Sequence, residues 1–394
     1  MPDLQQITIL HLIANLKTGG AQRVLQRLVT SSRHPQLRHV VVSMGGRGLI
    51  GDELVQAGVE VYALNMTTPW RYPLALVKLA HLLNRLHPSL LQSWLYPADL
   101  LAWLVGVGRV PRVYWNIRCT RVVAKGWLDY HGWLPWLLGK LSRRVTGVVV
   151  NSWQGMEDHR QLGYAPHHWQ VIVNGIDGNN FKPCEEARTA WRQRLGVPED
   201  GVVFGLLARN HPMKGQQEYI QAAAALAKQE EKVYFLLAGR QVEMEDPLLG
   251  PLVVASGCPQ KFFLLGEMQQ VERVMAALDV LVIPSLWGEG FSNTLAEGMA
   301  CALPCIATQC GDAQRMVPEG TPLLPAGDIP ALHQAMATMV ELGKEGRSSL
   351  GNLGRQHVLA HFSLQEMISR YESLYSGSST TMTGTSLPLG SLIE

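Results

Sequence analysis

Short apolar runs alternate with amphipathic stretches along this chain, and the whole alternation occurs twice. In the first half the runs cover 7–13, 39–42, 59–62, 90–93, 112–115 and 147–150, and they are rich in Val, Ile and Leu. Strands of a parallel sheet read this way because crossover helices bury both faces. The segment 21–31 illustrates the intervening element. Ala21, Val24, Leu25, Leu28 and Val29 fall on one helical face, with Arg23, Gln26, Arg27 and Thr30 on the other. The pattern restarts at 202–208, 233–238, 262–265, 280–283 and 305–308. The reading is an α/β chain of two doubly wound, Rossmann-like domains, 1–175 and 176–362. Asn174-Gly175, a turn-forming pair, marks the junction. A final helix is predicted over 363–376, packing back on the first domain, and the Ser/Thr/Gly-rich stretch 377–394 is expected to be disordered. A cleft facing the carboxyl ends of both sets of strands is the expected site, since strand ends and helix N-termini point loops and amides there.

Composition narrows the function. With 47% hydrophobic and 17% charged residues, the 394-residue chain is neither disordered nor fibrous. It contains no run of eighteen uncharged apolar residues, and its first residues show no basic stretch leading into a long apolar one, so a cytoplasmic location is expected. Six scattered cysteines form no Cys-x-x-Cys pair, which predicts reduced thiols and no zinc or redox centre. The net charge of +2 conceals a division: residues 1–175 carry +10 and the remainder −8. Seven of the eleven tryptophans lie between Trp70 and Trp136, and 121–144 mixes Trp127, Trp133 and Trp136 with Lys125, Lys140, Arg143 and Arg144. That mixture predicts peripheral contact with an anionic membrane surface, the alternative being an ordinary amphipathic helix with its tryptophans in the core. No nucleic-acid-binding motif accompanies the basic charge, so no nucleic acid partner is expected.

Three loops carry the candidate chemistry. The sharpest runs from Pro284 to Ala300, leaving a strand through a Gly-rich loop and entering a helix. Glu289 sits in the loop, Ser292 or Asn293 can cap the helix, and Glu297 falls one turn in, so a ligand on the free amides would reach both carboxylates. Two solvated glutamates near a helix start would show the same spacing. The second loop, Leu207 to Gly215, places Arg209 and Lys214 on either side of a turn set by Pro212, two cations suited to a diphosphate. The third, Asn15 to Ala21, joins the first strand to the first helix through Gly19 and Gly20, and side-chain-free residues let a phosphate or substrate approach the backbone. It lacks the G-x-G-x-x-G spacing, which removes the reason to expect hydride transfer.

Together these loops resemble the GT-B glycosyltransferases of family 4. Gly19-Gly20-Ala21-Gln22 is similar to that family's amino-terminal glycine loop, 173–177 followed by Phe181 to its crossover segment, and Glu289 to Glu297 to its Glu-x7-Glu motif. The resemblance runs from about Ile7 to Tyr375. It implies a retaining, metal-independent transferase without cofactor, moving a hexosyl or related sugar from a uridine or guanosine diphosphate sugar to a glycan, lipid-linked or small-molecule acceptor in cell-envelope polysaccharide, lipopolysaccharide or glycolipid synthesis. By position, Arg209, Lys214 and Glu289 are catalytic, Glu289 at the donor sugar and the two cations at the diphosphate. Glu297 takes the ribose hydroxyls, and the amides of Gly290, Phe291, Ser292 and Asn293 face the phosphates. Where relatives place a histidine after the fifth strand, this chain has Asn116-Ile117-Arg118, and Asn116 and Arg118 become candidates for an acceptor or phosphate. His11 and His211 are read as structural. Rival readings are a nucleotide-sugar epimerase of the same architecture and a nucleotide-sugar-binding protein without turnover.

Overall fold

The computed structural model describes residues 6–17, 19–120 and 130–377. The chain divides into two compact units, one comprising Met1–Gly175 with Gln365–Glu394 and the other Ile176–Leu364. Each is built on a wholly parallel sheet.

In the first unit the strands are β1 Ile7–Ile13, β2 Leu37–Ser43, β3 Glu60–Ala63, β4 Leu90–Trp94, β5 Arg112–Ile117, β6 Gly147–Val150 and β7 His168–Val171, in spatial order 3-2-1-4-5-6-7. Alternate residues serve opposite faces of the sheet. Leu10 and Leu12 enter a core with Leu79, Leu101 and Leu138 of three helices, whereas His11 faces Tyr375 of the helix Leu364–Ser376. That terminal helix is tied down through its C-terminal half. Arg112 donates to the Tyr375 carbonyl at 2.7 Å, and Asn116 Nδ2 donates to the Tyr371 hydroxyl at 2.8 Å.

The second unit holds β8 Val202–Leu207, β9 Val233–Ala238, β10 Phe262–Leu264, β11 Val280–Ile283, β12 Cys305–Thr308 and β13 Leu323–Leu324, in order 10-9-8-11-12-13. One face is covered by the helices Gln216–Ala227 and Ile329–Glu341 through Tyr219, Ile220, Met336 and Met339. On the other, the helix Asn293–Ala300 lies so close to β11 that a Cβ on Gly298 would strike the Leu281 side chain. Ile176 pairs with Ser363 in an isolated bridge, closing the unit where the chain enters and leaves it.

Two strands escape the apolar-run pattern. β7 is an outer strand whose side chains alternate between exposed and half-buried, and β13 is two residues long. Six free cysteines are present, three buried and three half-buried, and burial pushes the Cys119 and Cys301 thiols up to about 11 and 12. Among the described residues no helix is long and apolar enough to cross a membrane. All but Gly377 of the predicted tail, 377–394, and the 121–129 part of the basic Trp-rich segment lie outside the described residues.

Candidate functional site

Strand order places the chemistry of the second unit. In each sheet the winding reverses once, between β1 and β4 and between β8 and β11, and neighbouring loops part there to leave a crevice at the carboxyl ends. Hydrogen-bonded pairing of β8 with β11 covers only Val280↔Phe204 and Leu281↔Gly205, so the two strands separate before the loops begin. Lys214 follows β8 and Glu289 follows β11, so residues 75 apart in sequence emerge side by side.

Lys214 and Glu289 form a salt bridge, with side chains only 22% and 10% exposed. Oε1 of Glu289 accepts both the Lys214 ammonium and, at 2.7 Å, the Ser285 hydroxyl. The Thr308 hydroxyl of β12 braces this arrangement by donating to the Ser285 carbonyl at 2.5 Å. A hollow in the crevice is lined by Lys214, Ser285, Glu289, Ser292 and Thr294. Ser285, Thr294 and Thr308 were not singled out in the sequence, because single hydroxyl residues at strand ends are too common to read alone.

The loop after β8 is rigid for local reasons. His211 begins a single 3-10 turn, Pro212–Lys214, and its Nδ1 accepts the Met213 amide at 3.2 Å, a structural role for this histidine. Gly215 then turns into the next helix at φ 69°, and a Cβ there would collide with the Pro284 carbonyl oxygen at the end of β11. Leu286 N donates to the Met213 carbonyl at 2.8 Å, which stitches the two loops together. Arg209 points out: its side chain is exposed and makes no hydrogen bond or ion pair with the described residues, while its carbonyl accepts Gln216 Nε2 at 2.8 Å.

The glycine-rich loop leads to the helix Asn293–Ala300 with Ser292 at the N-cap position. Its hydroxyl makes no capping bond, in contrast to the capping role open to it in the sequence, and it lines the hollow instead. Among the described residues the backbone amides of Gly290, Phe291 and Ser292 have no acceptor. Helix N-termini present such donors, with the positive end of the dipole, to anions. The Phe291 ring is buried edge-on against Phe362, centroids 5.5 Å apart. Glu297 is half-buried in the helix. Gly311, at φ 61°, carries the loop after β12 against the carbonyls of Glu289 and Gly290.

Other candidates lie in the first unit. Gly19 precedes the helix Gly20–Ser31, and Gln22 bridges back to the Asn15 side chain at 3.2 Å. A Cβ on Gly20 would meet nothing within 4 Å, so open space lies beside that backbone. Thr18 of this loop lies outside the described residues. At the end of β5, Arg118 donates to the Tyr371 hydroxyl at 3.1 Å and to Asn174 Oδ1, with its guanidinium 5.7 Å from the Trp94 ring centroid. Asn116 is fully buried beside it, and its Oδ1 has no partner among the described residues. His11 is buried between His39 Nδ1, at 2.9 Å, and Trp94 Nε1, a structural placement. Among the described residues no group of three or more His, Cys, Asp or Glu side chains could hold a metal ion.

Comparison with known proteins follows this division. The profile described as Glycosyltransferase Family 4 matches residues 18–179, and that of Glycosyl transferases group 1 matches 201–341. The lipopolysaccharide core biosynthesis mannosyltransferase LpsB of Rhizobium meliloti (strain 1021) is 26% identical over 53% of this chain and 58% of its own length. The O-antigen biosynthesis glycosyltransferase WclY of Escherichia coli is 29% identical over 35% of this chain and 36% of its own, so the chain aligns with about a third to three-fifths of these relatives. HepE of Anabaena, solved in complex with UDP, superposes with a TM-score of 0.82 at 20% identity, covering 94% of this chain and all of that one. Sucrose-phosphate synthase from Thermosynechococcus elongatus gives 0.75 at 18% identity, covering 94% and 99%. With one profile on each parallel sheet, the protein belongs to the group 1, family 4 glycosyltransferases and has their GT-B fold.

Proposed function

We propose that this chain transfers a sugar, with retention of anomeric configuration, from a nucleotide diphosphate sugar to a hydroxyl of a glycan, lipid-linked or small-molecule acceptor. The observation that carries the reading is the Lys214–Glu289–Ser285 cluster at the switch point of the second sheet, beside open amides at a helix N-terminus. Departure of the donor's diphosphate concentrates negative charge on its leaving oxygen. Lys214, Arg209 and the amides of Gly290 to Asn293 stabilise that charge, each charged hydrogen bond contributing about 1.5–3 kcal/mol. Glu289, fixed by Lys214 and Ser285, accepts hydrogen bonds from sugar hydroxyls, and Glu297 accepts those of the ribose. The leaving phosphate oxygen takes the acceptor's proton on the face it vacates, so no protein base is obligatory. In the first unit, Gly19 and Gly20 admit a ligand close to the backbone, and the half-buried Arg118 serves the acceptor or a phosphate, with the buried Asn116 bonded to the same Tyr371 hydroxyl behind it. LpsB, named for lipopolysaccharide core synthesis, supports a cell-envelope product, and HepE, also solved with UDP-glucose, supports a uridine diphosphate donor.

A melting-point panel of uridine, guanosine and adenosine diphosphate sugars tests donor binding, since a ligand that binds only the folded state raises the midpoint by mass action. Release of nucleoside diphosphate that requires an acceptor supports transfer. Isomerised donor without acceptor would establish the epimerase, and binding with no release under any acceptor would establish a non-catalytic binder.

A further inference from the structure

The helices Tyr72–Leu86, Tyr96–Gly106 and Tyr130–Leu141 pack side by side on one face of the first sheet and send Leu79, Leu101 and Leu138 into its core. Their outward residues are unusual. Trp70, just before the first helix, is 75% exposed and Val77 is 67% exposed, and Leu74, Leu104, Trp133 and Trp136 are also exposed. The three helices contain one acidic residue, Asp99, and it is fully buried. Among the described residues of these helices every exposed ionic group is therefore cationic: Lys78, Arg85 and Lys140, with Arg143 and Arg144 following. The Lys140 ammonium sits 5.8 Å from the Trp136 ring centroid, a cation held over an exposed aromatic face.

Single exposed apolar residues are normal on a protein surface. Six on one helical layer, three of them tryptophan, with no exposed carboxylate among them, match a boundary that is apolar beneath and negatively charged above. A nucleic acid would be served by the cations and would leave Leu74, Val77 and Leu104 in water. We propose that the outer face of this three-helix layer docks on an anionic lipid bilayer, with Trp70, Trp133 and Trp136 at headgroup depth and Lys78 and Lys140 against lipid phosphates. The inference rests on the transferase reading only for its purpose, bringing the chain to a lipid-linked acceptor. The surface itself involves none of the donor residues.

The experiment is co-sedimentation of the full chain with vesicles of phosphatidylglycerol and phosphatidylethanolamine, compared with phosphatidylcholine alone. Wild type is expected to partition at least tenfold more strongly into the anionic vesicles, with the preference shrinking as salt rises. Trp70→Ser/Trp133→Ser/Trp136→Ser is expected to lose at least tenfold of that binding. Lys78→Glu/Lys140→Glu is expected to lose about fivefold per site or more. Both variants should keep the wild-type melting point and its rise with nucleotide sugar, which separates failure here from failure of the donor site. Equal binding to phosphatidylcholine overturns the proposal. So does a tryptophan variant that binds anionic vesicles, or a DNA duplex, as wild type does, since that would leave only general polyanion affinity. A dimer seen by light scattering that the tryptophan variant dissolves also overturns it, because a second copy would then cover the face.

Discussion

The ammonium of Lys214 and the hydroxyl of Ser285 converge on one oxygen, Oε1 of Glu289, so the carboxylate is fixed by two donors from two different strand ends. Removing the cation leaves a largely buried carboxylate short of its counter-charge. Lys214→Ala is therefore expected to destabilise the second unit by about 1–3 kcal/mol and to lower transfer roughly 10²–10³-fold. Lys214→Ala/Glu289→Gln should regain most of the melting temperature and none of the turnover, because the unpaired charge is gone while the diphosphate cation is still missing. Near wild-type transfer by the single variant would refute the site.

Two glycines separate a folding requirement from a ligand requirement. Gly215→Ala places a Cβ on the Pro284 carbonyl in a left-handed conformation, which costs about 1–2 kcal/mol before any clash is counted. Gly20→Ala meets open space and is expected to change stability by less than about 0.5 kcal/mol. If a ligand approaches that backbone, Gly20→Ala raises KM while the denaturation midpoint stays put, and unchanged kinetics would remove Gly20 from the site.

Tyr371 joins the terminal helix to the end of β5. Its hydroxyl accepts from both Asn116 and Arg118, so Tyr371→Phe strips two donors of their acceptor at once. An expected loss of about 1–3 kcal/mol would appear as a lower melting point and as faster proteolysis after residue 364. Unaltered cleavage would mean that the apolar contacts of the helix hold it alone.

Burial holds His39 at about 4, with Glu372 pulling the other way, and burial lowers its stacked neighbour His11 as well. A folded-state value below the unfolded value of about 6.5 means that the unfolded chain binds more protons between the two. Stability from the neutral pair is thus complete above about pH 6.5 and is lost as pH falls toward about 4. The melting temperature of wild type should drop more steeply over that interval than that of His39→Gln, and parallel curves would contradict the assignment.

Much of the fold was legible because parallel strands buried on both faces must be written as apolar runs, and β1, β6, β9, β11 and β12 begin and end where those runs do. β7 was not legible, since an outer strand with half-exposed side chains carries no such signal. At the site, turn and cation chemistry marked Lys214, and a carboxylate in a Gly-rich loop entering a helix marked Glu289, each as a property of its own loop.

What the sequence by itself determined was local: which segments are strands, which loops leave their ends, and which of those loops carry charge, because each depends on residues a few positions apart. Only the tertiary structure decided that β8 lies beside β11, bringing Lys214 onto Glu289, that Arg118 is held by Tyr371 from 253 residues away, and that Trp70, Trp133 and Trp136 of the first unit stay exposed instead of entering its core. Those are pairings between distant segments, set by the order in which strands join a sheet and by the burial of whole helix faces, and no local pattern encodes them.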